Sequence, residues 1–410
     1  MSKYLAEHVP AGTRIALAGR SEPKLAELRH SITDSGSAVA RDIGIVVADA
    51  LDETKIGALV RSTRVVIGAA GPFAKFGSPL ALAAARSGTH YADITGEAAW
   101  VRSVIDEVHE EAKRTGTIVV PMSGFDSVPA DLGVAFAVRT VREKTGKSTR
   151  AVRAYAKTRG AGMSGGTIAS GLNMASDPAA SRLGADPLCM IDESLGADAD
   201  SAVKAPVTAR PGSGAVAAMA DRWWFDWRDE VGAYAAPWPM EAVNTRCVRR
   251  SAALAAASGS PLSGPGEAFA YTEWLATGRF QTALSASLGG VVLRTIMGIP
   301  GAVSLLSGML PAPGSGPTDE AMARGTFEYT FVAEPSGTGS EPVITMMRGA
   351  MDPYVATAVF VAQAAMLLAH KPAELPGHAG GVLTPAFAFG RVLQERLEET
   401  GHFSFTVGRE

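Results

Sequence analysis

The first 135 residues alternate short apolar runs with helix-forming stretches, and the connections between them are brief. The runs Ile15–Ala18, Ile43–Val47, Val65–Ala69, His90–Ile94 and Ile118–Pro121 read as strands. Between them, Glu22–Ile32, Thr54–Arg61, Ser78–Ser87 and Ala98–Thr115 read as helices, the last closed by Gly116 as its stop. Strands joined through helices pair in parallel, and a parallel sheet is covered on both faces. The expected fold class is α/β, with a doubly wound parallel sheet.

Beyond about residue 140 the texture changes. Glycine, serine and proline clusters at 160–166, 196–215, 255–266 and 311–318 separate less regular segments. Ala151–Lys157, Thr326–Ala333 and Val343–Arg348 are strand-like and imply a mixed sheet in a second, α+β domain. Tyr354–Ala369 and Pro385–Glu399 return to helix. The expected division is a Rossmann-like domain at 1–135, a substrate or dimerisation domain at 136–350, and C-terminal helices at 351–410 packing back on the first domain.

Strand ends carry the chemistry. Gly19-Arg20-Ser21 closes the strand at 15–18, where a guanidinium and a hydroxyl can clamp a ribose 2′-phosphate and favour NADP over NAD. The bland alternative is a surface arginine. Asp49 can face the adenine; Asp52 more simply caps the following helix. Gly71-Pro72-Phe73 closes the strand at 65–69 in a position to line the nicotinamide half. His90, Tyr91, Asp93 and Glu97 are dense in groups capable of acid–base work. Tyr91 is the expected proton donor, although a buried structural tyrosine is an equal alternative; Asp93 and Glu97 are expected substrate contacts. Asp126 and Ser127 lie before an apolar helix: Asp126 is expected to bind and orient in the cleft, and Ser127 to meet substrate. The bland reading of both is a helix cap.

In a fold of this kind the strand at 15–18 is the second. The first, with its G-x-G-x-x-G turn, is expected upstream of it, whereas Met1–Thr13 read only as the tail of the intervening helix. A start further upstream, by roughly 15–25 residues, is one reading, because a central strand cannot be removed without leaving two unpaired edges. A true deletion, leaving an inactive lipid-surface or interaction protein, is the other.

Composition narrows the partners. A net charge of −3 gives no ground for nucleic acid, and Cys189 and Cys247 are too few and too far apart for a disulfide framework or a metal site. A reducing cytoplasm and no signal peptide are expected. Residues 283–310 are nearly all apolar, with Arg294 the single charge, but Gly289-Gly290 and Gly298-Ile299-Pro300-Gly301 interrupt the run. Buried helices or a hairpin resting on lipid at the inner face of the plasma membrane suit it better than a span. The mixed sheet offers a surface for a homodimer.

Taken together, "ALAGRS" at 16–21, "GPF" at 71–73, "GTHYADITGE" at 88–97, "SGFDSVPADLG" at 123–133, "SGGTIAS" at 164–170, "NTRCVRRS" at 244–251 and "GGVLTPAFAFG" at 380–390 make the chain resemble the saccharopine dehydrogenase-like oxidoreductases, and among them the actinobacterial trans-acting enoyl reductases. That resemblance runs over essentially the whole chain. It implies NADPH as cofactor, hydride transfer, and a small-molecule or carrier-bound acyl substrate of lipid or polyketide type.

Overall fold

The computed structural model describes residues 1–33, 42–160, 170–171, 176–192, 195, 224–262, 268–297 and 318–408. The chain begins with α1 (Ser2–His8), β1 (Ala16–Gly19), α2 (Glu22–Thr33), β2 (Gly44–Val47), α3 (Glu53–Arg61) and β3 (Val65–Gly68). It continues through α4 (Phe73–Phe76), α5 (Ser78–Ser87), β4 (His90–Asp93), α6 (Ala98–Thr115) and β5 (Ile118–Val120). Each strand falls within one residue of the apolar run that predicts it. Asp52 caps α3 by accepting from the Lys55 amide at 3.1 Å, and Gly116 ends α6 at φ 69°, a conformation that costs a side chain but not glycine.

Helices between consecutive strands force parallel pairing, and β3, β4 and β5 pair in parallel. β1 and β2 form a separate parallel pair. Among the described residues, one edge of β1 and one edge of β3 have no strand partner. A small core of Ala6, Leu17, Ile32 and Ile43 holds the β1–β2 pair to its helices.

The second part runs through α7 (Val128–Thr145), β6 (Thr149–Arg159), α8 (Pro178–Ala185), β7 (Asp226–Arg228), β8 (Ala233–Ala236), α9 (Glu241–Ala257) and β9 (Ala270–Thr277). Then come α10 (Phe280–Met297), α11 (Asp319–Met322), β10 (Thr326–Pro335), β11 (Val343–Gly349) and α12 (Pro353–His370). The chain closes with β12 (Gly381–Val382), α13 (Pro385–Glu398) and β13 (Phe403–Val407). A seven-stranded sheet in the order β13-β11-β10-β6-β9-β8-β7 results, mixed because β6 and β9 are parallel and the other pairs antiparallel. The C-terminal segment supplies more than the expected helices. β12 extends the parallel sheet beside β5, and β13 extends the mixed sheet beside β11.

The two sheets share one core. Ala92, Ile118 and Val120 from the parallel sheet join Phe327, Tyr329 and Phe331 of β10 through the buried faces of α7, α12 and α13. Such a core fixes the carboxyl ends of β4 and β5 against the mixed sheet. α12 is long and apolar enough to cross a bilayer, yet it packs on β3 and β4 as an interior helix, with Val359 to Leu368 buried. Of the apolar run at 283–310, α10 holds the first part, baring Leu288, Val291 and Val292, and residues 298–310 lie outside the described residues.

Candidate active site

The residues expected at the dinucleotide end lie at the tips of β1 and β2. Arg20 is exposed and has no ion pair among the described residues, with Ser21 beside it. Asp49, also exposed, accepts from the Leu51 amide at 2.9 Å. A free guanidinium and a hydroxyl past a strand end suit the phosphate of an adenosine 2′-phosphate, so the donor set fits NADP at this end. At the tip of β3, Gly71 is exposed and Pro72 half-buried, and both remain available to line a ligand. Phe73 does not. Its ring is buried against Trp100, 5.3 Å between centroids, which corrects the expectation that its side chain meets cofactor.

Glu97 corrects a second expectation. Its carboxylate is buried and accepts from the amides of Phe73 at 2.8 Å and Ala74 at 2.9 Å and from the Ser170 hydroxyl at 2.8 Å. It holds the Gly71-Pro72 turn in place and has no face left for substrate. Asp93 is likewise committed. It accepts from the Tyr91 hydroxyl at 2.8 Å and from the amides of Thr95 and Met122, each at 2.9 Å. Met122 sits at φ 61°, an uncommon conformation for a residue with a side chain, and Asp93 satisfies its amide. Burial lifts the Asp93 carboxyl to about 7 against these hydrogen bonds. Burial and the neighbouring carboxyl raise the Tyr91 phenol well above its ordinary range. Tyr91 is therefore an interior residue whose hydroxyl is tied to Asp93.

Asp126 is different. The loop after β5 is pinned by the Phe125 amide donating to Thr357 of α12 at 3.0 Å, and by the Phe125 ring against Phe327 at 4.9 Å. Pinning leaves Asp126 half-buried, where its carboxylate has no hydrogen-bond partner among the described residues. A side chain on Gly96 would bring its Cβ within 3.2 Å of that carboxylate, so glycine keeps the space open. Burial alone raises the Asp126 carboxyl to about 6. Ser127, by contrast, is fully buried, with its hydroxyl 3.5 Å from Asn244 Oδ1, which corrects its assignment as a substrate contact.

Behind this loop lies a polar cluster that sequence reasoning missed. Asn244 of α9 donates to Glu273 of β9 at 2.8 Å, and the Tyr271 hydroxyl donates to the other oxygen at 2.8 Å. The Tyr329 hydroxyl and the Trp238 indole N–H also act on this carboxyl, although neither makes a hydrogen bond of good geometry. Burial pushes Glu273 up to about 7 against the donors around it. Two signals were present in the sequence: "NTRCVRRS", which places Asn244 at its head, and a lone carboxylate between Tyr271 and Trp274 in an apolar run. The arginines of that motif are structural. Arg246 donates to the Ala185 carbonyl at 3.0 Å, Arg249 to the Pro187 carbonyl at 3.2 Å, and Arg250 pairs with Asp192 at 2.9 Å.

A cation suited to phosphate past β1 and, past β5, a carboxylate without a hydrogen-bond partner among the described residues are groups that a dinucleotide-dependent oxidoreductase can use at its strand ends. Residues 1–120 match the saccharopine dehydrogenase NADP binding domain. The chain is 32% identical over 415 residues to a trans-acting enoyl reductase of Mycobacterium bovis (strain BCG / Pasteur 1173P2), covering 97% of this chain and 93% of the relative. It is 32% identical over 405 residues to a trans-acting enoyl reductase of Mycobacterium ulcerans (strain Agy99), covering 95% and 90%. Among solved structures it is similar to apo histidine-tagged saccharopine dehydrogenase (L-Glu forming) from Saccharomyces cerevisiae, at 13% identity and a TM-score of 0.48, over 99% of this chain and 98% of that one. The protein is an NADP-dependent oxidoreductase of the saccharopine dehydrogenase-like class. Within that class, the chain belongs to the family of the trans-acting enoyl reductases.

Proposed function

We propose that the protein reduces the carbon–carbon double bond of an enoyl thioester, on an acyl chain of lipid or polyketide type. The observation that carries this reading is Asp126: a half-buried carboxyl without a partner, raised to about 6, at the tip of β5 where the two sheets meet. When bound, NADPH supplies the hydride. Arg20, Ser21 and Asp49 hold its adenosine end, and Gly71 and Pro72 line the nicotinamide end. Asp126 carries the proton for the carbon beside the thioester carbonyl, a task suited to an acid that titrates near neutrality. Phe125 and Phe327 wall the site and keep water from it. The experiment is NADPH oxidation in the presence of a trans-2-enoyl N-acetylcysteamine thioester, with the product identified by mass spectrometry. A saturated acyl product supports the reading; tight NADPH binding with no enoyl thioester reduced moves the chemistry to a different bond.

The exposed apolar residues Phe280, Leu288, Val291 and Val292 of α10, with exposed Trp224 and Trp227 joined to Phe280 through the rings of Phe225 and Tyr234, support peripheral contact with a lipid surface. Flotation with liposomes tests this: charged substitutions at Leu288 and Val292 should abolish it, and unchanged flotation would remove the role of α10.

A further inference from the structure

We propose that a cleft on the mixed sheet, distinct from the dinucleotide end, binds the phosphate-bearing arm on which the acyl thioester is presented. This rests on the enoyl thioester reading and gives that substrate its anchoring point. The cleft is open to solvent and spans about 600 Å³. It opens at the carboxyl ends of the neighbouring strands β6 and β9, and its walls include Lys157, Thr158, Trp238, Leu275, Arg279 and Thr282.

Three observations give it a ligand chemistry. The first is charge. Lys157 and Arg279 both line the cleft, none of the lining residues carries a carboxylate, and neither cation has an ion pair among the described residues. The nearest charges on the sheet are taken by other partners. Arg153, on the same strand as Lys157, pairs with Glu230 and Glu334. Glu328 stands opposite Lys157 in register but is taken by Arg348 at 2.9 Å. Two exposed cations that share one cleft, with no carboxylate in its lining, suit an anion from outside.

The second is the backbone. The cleft sits at the start of the 18-residue helix α10, whose first-turn amides lack partners within the helix and favour an anion. The third is the uncharged part of the lining. Leu275 and Trp238 are among the uncharged residues that line it, and the Trp238 indole N–H is the buried donor acting on Glu273 without a well-formed hydrogen bond. A ligand charged at one end and uncharged along its length fits this lining, with its phosphate at Lys157 and Arg279 and its thioester end toward Trp238, the wall that reaches the Glu273 cluster.

Calorimetric titration with pantetheine 4′-phosphate and with unphosphorylated pantetheine tests the assignment. The phosphorylated arm should bind about tenfold tighter or more, the rough worth of charge-assisted hydrogen bonds to two cations. The double variant Lys157→Ala, Arg279→Ala should erase that difference while NADPH affinity and melting temperature stay unchanged. Equal binding of both probes, no binding of either, or a difference that survives in the double variant would overturn the proposal. Intact NADPH binding in those samples would leave the oxidoreductase reading standing, so the two failures are separable. Competition then finds the source. Displacement by a phosphopantetheinylated acyl carrier protein and not by its unmodified form puts the arm on a carrier; displacement by coenzyme A alone puts it on the free coenzyme; displacement by neither counts against the site.

Discussion

At the scale of single residues, burial and hydrogen bonding divide the carboxyls into structural and functional groups. Asp93 and Glu97 each accept three hydrogen bonds, and both lock strand-end turns. Tyr91→Phe removes one donor to Asp93 and should lower stability by about 1–3 kcal/mol, with NADPH affinity unchanged. Thermal melts alongside NADPH titration check this; loss of catalysis at unchanged stability would return Tyr91 to the reaction. Glu273 gives a pH test. Its folded value of about 7 lies above its ordinary 4.5, so the folded state holds the proton more tightly than the unfolded chain. That stabilisation is complete below the ordinary value and is lost as pH rises through about 7, a change on the order of 3 kcal/mol. Glu273→Gln should flatten denaturant-measured stability between roughly pH 4.5 and 7 relative to wild type, and an unchanged slope would contradict the account. For Arg20→Ala, NADPH affinity should drop about tenfold or more while NADH affinity changes little. A comparable loss for both cofactors would make Arg20 a support of the fold.

At the scale of elements, local pattern was readable where local pattern decides. The strands and helices up to β5 follow from apolar runs and caps, and Asp52 and Gly116 act as their residue types predict. α9 was hidden because Arg246, Arg249 and Arg250 look like a solvated face, whereas the structure buries all three against carbonyls and Asp192. β12 and β13 were hidden for another reason. They are short, and their pairing with β5 and β11 is decided by distant chain segments. The Glu273 cluster joins α9, β9 and β10, so no spacing in the sequence announces it. Coverage also differs between elements. β1 and β2 expose residues such as Ala16, Ala18 and Val47 and share only a small core, whereas β4 and β5 are buried. Hydrogen exchange should therefore be faster at the amides of β1 and β2 than at those of β4 and β5 by orders of magnitude, because local opening costs less there. Equal protection would mean that the two units open together.

At the scale of the whole molecule, one core serves two sheets, and the chemistry sits along their seam. The parallel strands carry the groups proposed to bind the dinucleotide at their tips, and the mixed sheet carries Glu273 and the cleft proposed for the phosphate-bearing arm. Asp126 is a carboxylate at that seam with no hydrogen-bond partner among the described residues, and it is the proposed proton carrier. Its test is Asp126→Asn, with NADPH oxidation by an enoyl thioester, NADPH affinity and melting temperature measured on the same preparation. The amide keeps the size of the side chain and removes its proton chemistry, so turnover should fall by about 100-fold or more, with NADPH affinity and melting temperature close to wild type. Full turnover in the variant, or a sharp fall in melting temperature that accounts for the lost activity, would contradict the placement of the reaction at Asp126.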